Sequence, residues 1–232
     1  MNTATVLAGA TLGLVVGKAI PPEYQTVALH GLGLVTCGIG VKMFLQGKNP
    51  LITALAIAGG GILGLAIGIH HGIVWVAEWS KVHFGQSGEN RFAEGVVTSF
   101  VLFCIGPMTL LGCMEDALER KIQILSVKST LDGIASIFLA ALYGAGVLVT
   151  ALLLLLFQGA LTLFAKHLHP IANNEQMLNE TMAAGGAIIF ATGLGLLEIA
   201  SLRPANYLPA ILIAPSAVAI GQRIGKSKAA AS

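Results

Sequence analysis

The chain has 232 residues, 55% of them hydrophobic and only 10% charged, with a formal net charge of +2 and a mean hydropathy of +0.82. A soluble globular domain carries about 25% charged residues to cover its surface, so this composition excludes a soluble fold and places the chain in a lipid bilayer. The positive charge is small and dispersed, with no basic block interleaved with aromatics, which excludes nucleic acid as a partner.

A hydrocarbon core of ~30 Å takes about 20 helical residues to cross. Apolar runs of that order, ended by charge, proline or polar clusters, predict an all-α polytopic membrane protein of about eight spans. The first run, 3–20, ends at Lys18 and Pro21-Pro22. No positive segment precedes it and PPEYQ follows in place of a small-residue cleavage site, so it reads as a retained span. The second, 26–46, contains His30, as well suited to hydrogen-bonded packing as to a proton relay. The third is 50–69.

The segment 70–90, HHGIVWVAEWSKVHFGQSGEN, sets Trp75, Trp79 and Phe84 beside Glu78 and Lys81. It predicts an amphipathic helix lying in the membrane interface, where indole rings prefer the headgroup level. His70 and His71 are neighbours about 100° apart around a helix, a poor geometry for one ion, and no metal site is expected.

The fourth span, 92–113, is interrupted by Gly106-Pro107. The fifth, 130–143, is short and meets the sixth, 146–166, through Tyr143-Gly-Ala-Gly, either a tight turn between spans or a break in a re-entrant pair. The seventh is 180–200 and the eighth 205–223, with a tail at 225–232. All belong to a single membrane domain, 1–232.

Residues 31–61 and 186–216 echo one another. Gly31, Gly38 and Gly40 match Gly186, Gly193 and Gly195 at a constant offset of 155 (186 − 31, 193 − 38, 195 − 40), and each copy then meets a polar, proline-containing break, GKNP or SLRPAN. With two spans between them, a first repeat at 1–69 and a second at 146–224, flanking central spans in 91–143, enter the membrane from opposite sides. Inverted repeats of this kind are common among secondary transporters, with the site at the repeat interface. Alternating the loops puts Lys42, Lys48, Arg120, Lys121, Lys128, Lys166, Arg223, Lys226 and Lys228 on the side of the N-terminus, and Lys18, Lys81, Arg91 and Arg203 on the other. Cationic loops stay inside, so both termini are expected in the cytoplasm.

The polar residues within these spans are the candidate chemistry. Pro107 removes a backbone N–H and clashes with the preceding turn, and the freed groups must be covered by protein or line a wet cavity. Thr98, Ser99 and Thr109 share that segment with Gly106 and Pro107, and Glu115-Asp116 follow. Lys128 and Asp132 fall on one helical face, with Ser129 or Thr130 as candidate caps for the fifth span. Asn179 and Glu180 open the seventh span ahead of a small-residue stretch; Glu180 is either a first-turn acid near a positive helix end or a carrier of protons or cations. Gln158 is a deeper polar position, and Asn206 sits in the second proline-broken element, RPANYLP, suited to compensating the kink or to binding a ligand. Cys37, Cys104 and Cys113 lack metal-ligand spacing and read as small buried residues. No nucleophile elbow, zincin helix or phosphate loop is present, so no enzyme is expected.

Taken in order, RFAEGVVTSFVLFCIGPMTLLG (91–112), ED (115–116), KSTLDG (128–133), FQGALTLFA (157–165), NETMAAGG (179–186) and RPANYLPAILIAP (203–215) resemble the YqgA-like family of bacterial inner-membrane proteins of unknown function. That family places an acidic, LDIE-like segment after the third span, where this chain has IGIHHGI, so no role for that acid carries over. The resemblance implies a polytopic bacterial membrane protein without a settled substrate.

The expected function is a secondary transporter or ion-coupled carrier of a small polar or anionic solute, with a proton or sodium ion as the coupling ion. Asp132, Gln158, Glu180 and Asn206 would surround the solute between the two broken helices. The alternative is a non-transporting scaffold or sensor whose polar residues only satisfy kinks. Glycine-rich faces are compatible with a homodimer.

Overall fold

The computed structural model describes residues 1–83, 91–105 and 107–229, and among them every regular element is helical. The helices are α1 (Asn2–Gly17), α2 (Pro22–Phe44), α3 (Pro50–Ile67), α4 (Ile69–His83), α5 (Arg91–Cys104), α6 (Pro107–Glu119), α7 (Gln123–Tyr143), α8 (Gly146–Leu163), α9 (Ala165–Ala172), α10 (Glu175–Leu196) and α11 (Ala210–Ala229), with a 3-10 turn at Pro204–Tyr207. Among the described residues five helical segments are long and apolar enough to cross a membrane, and six if α5 and α6 form one bent span. The stretches expected as eight spans overlap α1, α2, α3, α5–α6, α7, α8, α10 and α11, but only six of these meet the length and apolarity of a crossing. Of the two beyond the six, α1 is short at 16 residues, and α10 carries Glu175 and Glu180.

The fifth span differs from the sequence reading. It starts at Gln123, not near residue 130, and is 21 residues long. Ser129 and Thr130 therefore lie inside the helix, where their hydroxyls donate back to the carbonyls of Leu125 and Ser126. The start of α7 is capped from elsewhere: the Glu115 carboxylate accepts the Ile124 N–H at 3.0 Å. The Tyr143–Gly146 stretch is a turn between two helices, made by Gly144 in the left-handed region at φ 74°.

Glycines set which helices touch. Along α1, Gly9, Gly13 and Gly17 lie against Gly133, Ile137 and Ala141 of α7, so these two helices run parallel with their backbones in contact. Along α2, Gly33 and Gly40 lie against Leu196 and Phe190 of α10, an antiparallel pair; a β-carbon on Gly40 would sit 2.6 Å from the Phe190 amide nitrogen. Helices α3 and α11 are in contact through Gly59 against Ile213 and Gly60 against Ala210, and Gly64 lies against Asn206 of the 3-10 turn that leads into α11, so α3 and this segment run antiparallel. Lipid offers no hydrophobic force between helices, and close backbone approach supplies the dispersion contact instead. The glycines matched in the repeat do not play matching parts: Gly186 and Gly193 press on α2, whereas Gly31 and Gly38 have no neighbour within 4 Å.

The segment expected at the interface is α4. Its Trp75 and Trp79 are exposed while Ala77 and Ser80 are buried, giving one outward aromatic face; Phe84 lies outside the described residues. Helix α5 runs antiparallel to α10 and parallel to α8, since Phe92 lies against Gly146 and Ser99 against Thr150. The molecule thus has two ends. One gathers Lys18, Arg91, Gly144 and Arg203; the other gathers Asn2, Asp132 and Glu180.

Candidate functional site

At the first break, α5 and α6 are bent by 61°. Gly106 lies outside the described residues, and Pro107 opens α6. In an unbroken helix the Phe103 carbonyl would take the N–H of residue 107, which proline lacks. The Thr109 hydroxyl donates to that carbonyl instead, at 3.2 Å. Around the break the packing is apolar: Ile105, Met43, Met182 and Ile211 line a void of only about 50 Å³. Ile105 and Ala205, from the two broken elements, border one apolar cluster with Val97, Val101 and Ile188.

Glu180 is 0% exposed. It falls in the second turn of α10, because Asn174 caps that helix by accepting the Met177 N–H. Its carboxylate reaches instead to the start of α3, accepting the N–H groups of Lys48 at 2.9 Å and Asn49 at 2.8 Å on Oε1, and the Thr53 hydroxyl at 3.0 Å on Oε2. None of the three donors is charged; the positive end of α3 supplies the remaining stabilisation. Outside this latch, Lys48 pairs with Glu175 at 2.8 Å. The lysine bond holds the exposed Glu175 carboxyl below the usual carboxylate range. Asn179 is half-buried and reaches only Glu175, at 3.5 Å.

Asp132 and Lys128 are a buried ion pair at 2.8 Å, with side chains 10% and 8% exposed. Asn2 of α1 donates to the same carboxylate at 2.8 Å. The i,i+4 pairing is readable in the sequence, but the burial is not: α1 lies over this face of α7.

Ser99 donates to the Gly95 carbonyl and meets the Thr150 hydroxyl at 2.6 Å, which ties α5 to α8. Asn206 accepts the His70 N–H on Oδ1 at 3.1 Å, so it compensates the backbone where α4 begins. Gln158 is buried, and its Nε2, like Nε2 of His30 and Nδ1 of His70, has no hydrogen-bond partner. The polar candidates are therefore held in separate sets, toward opposite ends of the bundle.

The polar space is elsewhere. A cavity of about 680 Å³ at the Arg203 end is lined by His70 of α4, Glu94 and Thr98 of α5, Thr192 of α10 and Ser201 and Arg203 of the connection to the 3-10 turn. Thr98 is the one sequence candidate in its wall. Thr98 and Thr192 are buried at its floor, beyond which lies the apolar cluster. Burial, with Arg203 and His71 close by, holds the His70 imidazole below its usual range. The lip carries backbone strain: Glu198 and Arg203 are non-glycine residues in the left-handed region, at φ 56° and 47°. Such positions cost on the order of 1 kcal/mol each and cluster at binding sites and switches. Sequence reasoning missed Glu94 and Arg203 as site residues: Arg203 was counted only among the loop cations, and Glu94 was not weighed. The available signal was Arg203 directly before Pro204 in a broken helix, since a residue preceding proline is restricted.

Residues 1–219 match the model of a family described as Protein of unknown function (DUF554). The chain is 32% identical over 228 residues to the uncharacterized membrane protein YdfK of Bacillus subtilis, covering 97% of this chain and 96% of that protein. It is 27% identical over 218 residues to the uncharacterized protein YqgA of Escherichia coli, covering 92% of each. No solved structure matches.

Proposed function

The chain belongs to the DUF554 family, and for this membrane protein we propose a role as a secondary carrier of a small polar solute across the bacterial inner membrane. One observation carries the reading: among the described residues a 680 Å³ polar cavity opens at the Arg203 end and stops at an apolar layer, while Glu180 ties α10 to α3 at the other end. That is the form of a carrier open to one side. The excess of Lys and Arg on the N-terminal side orients the cavity outward, with both termini in the cytoplasm.

The pairing of helices expected from an inverted repeat supports the same reading. Span 2 packs on span 7 (α2 on α10), span 3 on span 8 (α3 on α11), and span 1 on span 6 (α1 on α8). Each span thus touches its own counterpart, as around a pseudo-two-fold axis in the membrane plane. Alternating access would open the Glu180 latch as the Arg203 lip closes, with a proton or sodium ion as coupling ion.

A second reading, a non-transporting scaffold or sensor, draws on the finding that Glu180, Asp132 and Asn206 all have protein partners. Purified protein in proteoliposomes separates the two. Capacitive or steady currents on rapid addition of amino acids, short carboxylates or polyols support the carrier, and they should fall in Glu180→Gln. With the native cysteines replaced, Thr98→Cys should react with a membrane-impermeant thiol reagent from the Arg203 face. No current with any panel member, together with a Thr98→Cys that is inert from both faces, sinks the carrier reading.

A further inference from the structure

The cavity holds opposite charges that do not answer one another. Glu94 and Arg203 both line it, and among the described residues no ion pair joins them. The carboxylate on α5 and the guanidinium on the strained lip therefore belong to different elements around one space. His70 lines the same space, and its Nδ1 is a buried polar atom without a partner, an unfavourable arrangement unless a bound group supplies the bond. The floor hydroxyls are used as donors, Thr192 to the Ile188 carbonyl at 2.9 Å, or bonded to one neighbour, Thr98 to Tyr143. Each hydroxyl has two lone pairs, and so keeps acceptor capacity for a ligand.

Three solute classes can be set against this wall. A lone anion on Arg203 shares the space with the Glu94 carboxylate; a lone cation on Glu94 shares it with the Arg203 guanidinium. A solute with both charges satisfies both groups and carries no net charge into the apolar layer below, where a charged group is costly. Resting on the carrier reading, we propose that the solute is a small zwitterion of amino-acid type, its carboxylate on Arg203 and its ammonium at Glu94, with His70 and the floor threonines taking further polar contacts.

The test is ligand-induced stabilisation of the detergent-purified full chain, followed by circular dichroism. The probes are an equimolar mixture of neutral L-amino acids, the matching carboxylic acids without the amine, and the matching amino-acid amides. The amino acids should raise the unfolding midpoint at concentrations about tenfold or more below those the other two sets require, the worth of one charged hydrogen-bonded contact. Glu94→Gln should abolish discrimination against the deaminated acids, and Arg203→Gln discrimination against the amides. If Arg203→Gln does not fold, Arg203→Lys should still discriminate against the amides. Amino acids without effect, deaminated acids equal to amino acids on the unmodified protein, or variants that keep its preferences overturn the proposal. Amino-acid binding without flux in proteoliposomes keeps this assignment and removes the carrier; flux of another solute with no amino-acid binding does the reverse.

Discussion

Thr109 donates its hydroxyl to the Phe103 carbonyl at 3.2 Å, taking the place of the N–H that Pro107 lacks. The break between α5 and α6 is thus satisfied by its own segment, with no ligand required. Thr109→Val keeps the shape and removes the donor, leaving a buried carbonyl unpaired. It should cost about 1–3 kcal/mol in unfolding free energy, read by denaturant titration in micelles, whereas Thr109→Ser should be near neutral. A Thr109→Val variant as stable as the parent would mean that something else serves Phe103.

The Glu180 latch predicts a local effect. Replacing Glu180 by Leu leaves the N–H groups of Lys48 and Asn49 buried without an acceptor, a penalty of about 1–3 kcal/mol for each. Hydrogen exchange at those two amides should accelerate by more than tenfold, while exchange in α7 is unchanged. In Glu180→Gln one oxygen still accepts and the amide can donate to Thr53, so the acceleration should be smaller.

The Lys128–Asp132 pair behaves differently because both members are charged and buried. Asp132→Asn strands the ammonium and should destabilise by about 3–5 kcal/mol, whereas the double change Lys128→Met with Asp132→Leu should cost much less. A double-mutant cycle on thermal inactivation checks the order. Equal costs for the single and double variants would show that the pair is wetter than its burial implies.

Glycine positions give a stability contrast within one helix. Gly40→Leu should abolish the folded state, because Phe190 backbone already occupies the space a β-carbon needs, while Gly38→Leu, with nothing within 4 Å, should fold with an unchanged or higher midpoint. Expression with monodisperse gel filtration distinguishes them. Comparable behaviour of the two would contradict the α2–α10 packing.

Much of the architecture was legible because the bilayer imposes it: length and apolarity mark most spans, and Trp75 and Trp79 mark α4. The start of α7 was not, since Ser129 and Thr130 look like caps while the cap comes from Glu115 on another helix. Glu180 was visible as an intramembrane acid, but its partners lie 127 to 132 residues away in sequence. The cavity was the least legible part. Glu94 and Arg203 are unremarkable charges at helix ends until α4, α5 and α10 bring them to one space, and left-handed backbone at two non-glycine residues leaves no mark in composition or periodicity.

The chain has only two tryptophans, and both stand on the outer face of α4, whose first residues wall the cavity through His70 and Val74. Tryptophan fluorescence therefore comes from a single helix at the rim of the cavity. Without any label, the emission wavelength and its quenching by brominated lipids would follow the depth of that rim, so an occupied and an empty protein become distinguishable optically even before the occupant is identified.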